Sequence, residues 1–275
     1  MYLFRIWILG FRIYSKKEFS MLMVVDVGNT NTVIGVYDKD RLAVSWRITT
    51  KKDRTIDEHG IIFRNLFGLS SEVKFEMLDS MIISSVVPPV VPPLSEMARK
   101  FFKVSPLIVD SEIKTGIKIL YDNPREVGAD RIVNAVAAFN KYGGPTIVID
   151  FGTATTFCSI SKDAEYRGGI IVPGIVTALE ALFRKAAKLP IVELKKPVSV
   201  LGKNTASSMQ SGIIFGYAGL VDGLVSRIEE ELGETSFVVA TGGLAGVISS
   251  ESKKIKEVYP LMTLVGLKII YEMNS

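Results

Sequence analysis

The sequence predicts an α/β protein of two related halves, with mixed sheets and a cleft between them. Three observations predict it. Residues 23–36 (MVVDVGNTNTVIGV) and 147–160 (IVIDFGTATTFCSI) align without gaps at an offset of 124, matching Asp26 with Asp150, Gly28 with Gly152 and Thr32 with Thr156. Each copy reads as a buried apolar strand, a tight polar turn and a return strand. Around both copies, short apolar runs alternate with runs of helical period. A repeat this long is no solenoid; it fits a duplicated domain.

In chain order, the first hairpin is followed by a strand near Leu42–Thr50 and a helix over Ile56–Phe67, whose Ile56, Ile61 or Ile62 and Leu66 share a face. Asp79–Val86 is a continuous apolar strand. Pro88-Pro89 and Pro92-Pro93 end it and open a helix to Phe102, since proline is tolerated in a first turn. A short strand, Leu107–Val109, precedes a helix over Gly128–Tyr142, with Ile132, Val136 and Phe139 on one face. Gly143-Gly144-Pro145 breaks that helix and sets the expected boundary between a domain at 21–143 and one at 144–275. The second hairpin leads to a strand near Tyr166–Val172 and, after Pro173-Gly174, a helix to about Lys188. Asn204–Leu232 is a long helix whose Gly212, Gly216, Gly219 and Gly223 mark close packing or a kink. Phe237–Ala240 is a strand running into Thr241-Gly242-Gly243 and a helix, and a last helix covers Pro260–Glu272.

Residues 1–20 stand outside this scheme. Arg5 and Arg12 interrupt their apolar run and no small-residue cleavage site follows, so a poorly ordered tail is expected rather than a targeting segment. No other segment reads as a bilayer span, which places the protein in the cytoplasm. Composition narrows the chemistry. Of 275 residues 48% are hydrophobic and 23% charged, the balance of a globular chain rather than a disordered one. A net charge of +4, with no basic cluster among aromatics, gives no footprint for nucleic acid. One cysteine, Cys158, and one histidine, His59, exclude disulfide frameworks and zinc sites built on them. Cys158 is expected in the core, and His59 at the surface or in the cap region of its helix. Carboxylates, hydroxyls, backbone amides and a borrowed ion must therefore do the work.

The turn Asp26-Val27-Gly28-Asn29-Thr30-Asn31-Thr32-Val33 sets a carboxylate at a strand end and small and hydroxyl residues after it. Its amides and hydroxyls suit phosphate oxygens, whereas Asp26 needs a cation such as Mg²⁺ between it and a phosphate. A plain hairpin also explains one such turn; two copies, each with its acid in place, favour phosphate. There is no P-loop and no complete dinucleotide-binding fingerprint. Glu126–Arg131 opens a helix with Asp130 in the first turn, where the dipole favours an anion. Spacing alone reads Asp130 and Arg131 as routine charge complementarity, Tyr121 as a half-buried tyrosine and Thr205 as a helix cap residue.

Together these elements resemble the acetate and sugar kinase/Hsp70/actin superfamily, with phosphate 1, phosphate 2 and adenosine motifs on two ribonuclease-H-like (actin-like ATPase) domains. Within it the chain is similar to the type III pantothenate kinases. The residues that carry this are Asp26-Val-Gly-Asn-Thr, Gly128-Ala-Asp-Arg131, Asp150-Phe-Gly-Thr-Ala-Thr-Thr156, Gly168-Gly-Ile-Ile-Val-Pro-Gly174, and Asn204-Thr near Gln210-Ser-Gly212. The resemblance spans Met21 to the C-terminus. It implies ATP-dependent phosphorylation of pantothenate to 4′-phosphopantothenate, the first step towards coenzyme A, with Asp130 as the catalytic base. It further implies that ATP is bound by Asp26, Val27, Gly28, Asn29, Thr30, Asn31, Thr32, Val33 and Thr153, with Asp26 reaching Mg²⁺ through water. Pantothenate falls to Tyr121, Gly128, Ala129, Asp130, Arg131 and Thr205, and a monovalent cation, K⁺ or NH₄⁺, to Asp150. It implies a homodimer too. The helix 204–232 serves equally well as that contact or as a central helix of one subunit. The rival readings are another small-molecule kinase of the superfamily and a non-enzymatic accessory homologue.

Overall fold

A computed structural model describes residues 21–275 except 111, 187 and 188; the N-terminal extension, with Trp7, lies outside the described residues. Two mixed sheets form the frame. The first is built from β1 (Met21–Val27), β2 (Asn31–Asp38), β3 (Arg41–Thr49), β4 (Leu78–Ser85) and β5 (Leu107–Ile108), in the order β3-β2-β1-β4-β5. The second adds β6 (Lys118–Ile119) and contains β7 (Thr146–Phe151), β8 (Ala154–Ile160), β9 (Glu165–Pro173), β10 (Phe237–Gly242) and β11 (Glu257–Val258), in the order β11-β10-β7-β8-β9-β6. β1 pairs antiparallel with β2 and parallel with β4, and β7 pairs antiparallel with β8 and parallel with β10. The repeat read in the sequence is thus a repeat of topology, and the protein is α/β with two ribonuclease-H-like halves.

The gapless alignment does not survive the turns. Val27 faces Thr32 across the first hairpin, whereas Phe151 faces Thr155 across the second. The first turn holds three residues and the second two, so the offset drops from 124 to 123 on the return strand. Thr32 corresponds to Thr155, and Thr30 to Thr153. The amide of Gly28 bonds to the carbonyl of Asn31 at 3.0 Å, and that of Gly152 to Ala154 at 3.1 Å, the same closure at the shifted spacing.

The helices are α1 (Ile56–Gly68), α2 (Val91–Met97), α3 (Ala129–Tyr142), α4 (Ile175–Lys185), α5 (Thr205–Leu232), α6 (Ala245–Ser249) and α7 (Met262–Asn274). Thr55 starts α1 through a reciprocal capping box with Glu58, worth about 1 kcal/mol. The segment after the prolines is not one helix. A 3₁₀ turn at Pro88–Val90 leads into α2, which relaxes into a π-helical turn at Ala98–Phe102. α4 ends at Lys185, short of the expected Lys188.

Strand alternation decides which side of each sheet meets what. Met23, Val25 and Val27 of β1 face a core with Phe63, Phe67 and Leu94 on one side of the first sheet. Leu22 and Val24 face the other way, against Val133 and Val136 of α3 and Leu264, Leu267 and Ile270 of α7. In the second sheet Ile147, Ile149 and Phe151 of β7 pack with α5 and α6, while Val148 packs with Ile132, Ala135 and Ala138 of α3 and Met262 of α7. The α3–α7 pair therefore lies between the sheets and is shared by both. Gly266 permits this pair: a Cβ there would stand 2.1 Å from the carbonyl oxygen of Val133. In effect the halves exchange edges, since β6 from the first half of the chain pairs with β9 and α7 from the end covers β1.

Two sequence expectations fail on burial. His59 is 4% exposed, not a surface residue; its ring meets Phe63 edge-on at 6.4 Å and neither ring nitrogen has a hydrogen-bond partner among the described residues. It follows the cap but turns onto the inner face of α1, beside Gly60, whose missing Cβ makes room for the Phe101 ring. The glycines of α5 do not mediate close packing within the chain either, for a Cβ at Gly212, Gly216, Gly219 or Gly223 would meet nothing within 4 Å. Contrary to the sequence reading, α5 is also long and apolar enough, by length and composition alone, to cross a membrane, with a mean hydropathy of 1.2. Its Ile214, Tyr217, Ala218, Val221 and Val225 are nevertheless in the core under the second sheet. Cys158 is buried as expected.

Burial pushes the His59 imidazole down to about 4, with Arg54 adding to the effect and Glu58 opposing it. A depressed histidine contributes stability that is present above its unfolded value near 6.5 and is lost as pH falls toward 4. His59→Leu should flatten the loss of stability over that window, by on the order of 1–2 kcal/mol relative to the parent. Urea midpoints at pH 7, 5.5 and 4.5 check it, and parallel curves for the two proteins count against a buried neutral imidazole.

Candidate active site

Each hairpin ends its first strand on a carboxylate aimed at the shared helices, because Asp26 continues the Leu22–Val24 side of β1 and Asp150 the Val148 side of β7. The two turns touch: Oγ1 of Thr30 and Oγ1 of Thr153 are 3.0 Å apart. Both turns are tied from behind. The Thr30 carbonyl accepts from the Thr50 amide at 3.0 Å, while that of Thr153 accepts from the Gly174 amide at 3.1 Å and the Thr177 hydroxyl at 2.8 Å. Thr32 is buried and its hydroxyl meets that of Thr50 at 2.9 Å. The side chain of Val27 is fully buried in the core, which leaves only its backbone to face the turn. The amides of Asn29, Thr30 and Thr153 have no partner among the described residues, so three N–H groups near the meeting point are free to receive an anion.

The third acid comes from α3. Asp130 occupies the first turn, and one of its oxygens accepts from the Arg131 amide at 2.8 Å. Asp130 acts on both Asp26 and Asp150, and Asp150 on Asp26, in each case raising the carboxyl acted on. Burial first, then the charges of Asp130 and Asp150, push Asp26 up to about 7. Burial and Asp130 push Asp150 up to about 6, against the stabilising amide of Asn134. Asp130 is raised by burial, partly offset by the Arg131 amide and guanidinium. Clustered raised carboxylates of this kind are a site for cations or for proton transfer. Ser84 sits opposite Asp26 on β4, and its fully buried hydroxyl is near enough to that carboxylate to favour the ionised form, against burial and the other acids.

Arg131 is not solvated. It is 7% exposed, its Nε donates to Sγ of Cys158 at 3.3 Å, and its guanidinium lies over the rings of Tyr166 at 5.6 Å and Tyr121 at 6.0 Å. Burial keeps Cys158 a thiol, a weak acceptor. Nη2 of Arg131 is buried with no well-formed hydrogen bond among the described residues, while the Tyr121 hydroxyl is near enough to support the guanidinium charge. Gly169 makes room for it, since a Cβ there would come within 2.4 Å of that nitrogen. A buried guanidinium nitrogen left open is costly unless an anion arrives. Cys158 on β8 and Tyr166 on β9 were missed as neighbours of Arg131 because their strands read as core, and Gly169 entered only within the motif at 168–174. Thr205 stands apart. It is exposed at the start of α5 in an open groove of about 780 Å³ with Leu182, Lys203, Ser208 and Gly212, and no hydrogen bond joins it to the acids. Gly128 and Ala129, half-buried, cap and begin α3 beside Asp130.

Two ribonuclease-H-like halves with acidic hairpins whose turns touch define a protein of the actin-like ATPase and sugar kinase class. Solved structures of that fold cover most of the chain. A putative Baf family transcriptional activator from Campylobacter jejuni matches 92% of it and 98% of its own length at a TM-score of 0.55 and 16% identity. The ethanolamine utilization protein EutJ from Carboxydothermus hydrogenoformans matches 91% and 89% at 0.56 and 14%. A putative 2-dehydro-3-deoxygalactonokinase from Sinorhizobium meliloti matches 92% and 96% at 0.53 and 12%. Sequence narrows the class. The family model for type III pantothenate kinase matches residues 22–227. The type III pantothenate kinase of Citrifermentans bemidjiense is 54% identical over 255 residues, 93% of this chain and all of that protein, and that of Syntrophus aciditrophicus is 53% identical over the same shares. The chain belongs to the type III pantothenate kinase family.

Burial first, and then repulsion from the other acids, penalises an ionised Asp26 in the ligand-free fold. With its carboxyl raised from 3.8 to about 7, the stability present at low pH is lost as pH climbs from about 4 to about 7. Asp26→Asn should raise the melting temperature of the ligand-free protein at pH 8 and do so less at pH 5. An equal shift at both pH values would show that Asp26 is not held against charge.

Proposed function

We propose that this chain transfers the terminal phosphoryl group of ATP to the alcohol of pantothenate, giving 4′-phosphopantothenate, the first step of coenzyme A biosynthesis. Family membership supplies the reaction. The observation that carries its placement is the convergence of Asp26, Asp130 and Asp150 beneath the two touching turns. In this reading the free amides of Asn29 and Thr30 and the Thr30 hydroxyl, with Thr153 from the other turn, grip the phosphates, and the backbone of Asp26–Val33, with Gly28, Asn31 and Thr32, wraps them. Asp26 holds Mg²⁺ through water, and Asp150 holds a monovalent cation, K⁺ or NH₄⁺. The residues fit such ions: the acids repel one another until cations join them, and no three described His, Cys, Asp or Glu side chains cluster to hold one ion, which leaves phosphate and water to complete each shell. When bound, the cations neutralise the charge of the transferring group.

Asp130 accepts the proton of the pantothenate alcohol. Its raised affinity for a proton makes it a better base near neutral pH than an exposed aspartate. Phosphoryl transfer is loose, so the proton moves late and positioning matters most. The open Nη2 of Arg131 takes the carboxylate of pantothenate inside the Tyr121–Tyr166 enclosure, with Gly128 and Ala129 beside it. Thr205 completes the pocket from a second copy. Support for a homodimer is the open glycine face of α5, next to exposed Leu182, Phe183, Val200 and Leu201. The same reading takes 21–143 and 144–275 as the two domains, and the cytoplasm as the location.

ADP release should require pantothenate with Mg²⁺ and K⁺, and fall to background with glucose or no acceptor; turnover of glucose at the pantothenate rate would overturn the reading. Asp130→Asn should lower kcat by about 100-fold or more while KM for ATP stays within about threefold. Replacing K⁺ with Na⁺ should slow turnover, and equal rates would remove the monovalent cation from Asp150.

A further inference from the structure

The carboxylate of Asp150 is held by one oxygen only. Oδ2 accepts from Nδ2 of Asn134 at 3.0 Å. Oδ1 lies on the turn side, 3.8 Å from where a Cβ on Gly152 would stand. Asn134 is one helical turn beyond Asp130 on α3, so the two share a face. It is 2% exposed and takes no part in the scheme above. A primary amide fits such a space either way round, and only one way is useful here. The hydroxyl of Thr263, in the first turn of α7, donates to Oδ1 of Asn134 at 2.8 Å. With its oxygen occupied, the amide presents NH₂ to Asp150. The reversed amide would press oxygen against an ionised carboxylate with no proton between them.

We propose that Asn134, with its amide fixed by Thr263, is a positioning residue for Asp150: it anchors one carboxylate oxygen to the helices between the sheets and leaves the other directed at the turn, which sets how tightly the site holds its monovalent cation. The proposal rests on the reading of Asp150 as the ligand of that ion. It adds two residues, and through Thr263 a further element, α7, to the site. The end of the chain, 129 residues from Asn134 in sequence, thereby acts on ion binding. An outer partner that orients a ligand by hydrogen bonding changes metal affinity without touching the ion.

Thr263→Val removes the hydroxyl at nearly constant shape, and Thr263→Ser returns it. Binding of thallium(I), a spectroscopic stand-in for potassium, is titrated by ²⁰⁵Tl line width on the full chain with Mg²⁺ and ADP, alongside the potassium dependence of turnover. Thr263→Val should raise the half-saturating concentration of both ions by about tenfold, keep KM for pantothenate within about twofold, and be rescued by Thr263→Ser. Asn134→Ala should show the same ion-specific loss. Parent-like ion titrations in folded Thr263→Val and Asn134→Ala, even with lower melting temperatures, overturn the proposal alone. A parent chain that phosphorylates pantothenate but answers to neither ion overturns the reading of Asp150, and the positioning role falls with it.

Discussion

Like charges do not gather in a protein unless something rigid holds them, and here the holder is the α3–α7 pair. It packs against the inner side of each sheet at once, so Asp26 from one sheet and Asp150 from the other are delivered to the same helix surface. α3 then adds Asp130 from its own first turn. The repulsion among the three is the cost of that convergence. Apolar contact on both sides of α3, with Val133 and Val136 toward one sheet and Ile132 and Ala135 toward the other, offsets it. Each such side chain contributes roughly 1.5–3 kcal/mol when fully buried.

The two halves are alike in topology and unlike in detail, and the differences fall where the two turns meet. Asp26 neighbours Ser84 on the adjoining parallel strand, and Asp150 neighbours Thr241, so a buried hydroxyl residue stands beside each acid. Only Asp150 has an amide from α3. The second turn is shorter by one residue, and that is what brings Thr153 opposite Thr30. A symmetric pair would treat every ion and phosphate alike. The asymmetry gives each acid a distinct electrostatic setting, and Asp26 is the more strongly raised of the two.

Most of the fold was legible because both copies of the hairpin are continuous in sequence and strongly apolar. The acids were legible for the same reason, each standing at a strand end beside a turn. What escaped depends on distant partners. β6 and β11 are two residues each and exist only because β9 and β10 offer an edge. The one-residue change of offset is invisible where Thr recurs at 153, 155 and 156. Burial of His59 depends on the aromatic residues around α1, and the enclosure of Arg131 on Tyr166 and Gly169, 35 and more residues away. Asn134 looks like a polar interruption on an apolar helix until Asp150 and Thr263 are placed on either side of it.

The placement of α7 governs the order in which the molecule can be completed. Leu22, Val24 and Ile82, near the start of the chain, find part of their cover in Leu264, Leu267 and Ile270 at its end. During synthesis that side of the early sheet, even with α3 in place, therefore waits for the rest of its cover until α7 has left the ribosome. A nascent chain that stops short of Met262 carries that greasy surface into the cell, where quality control would meet it first.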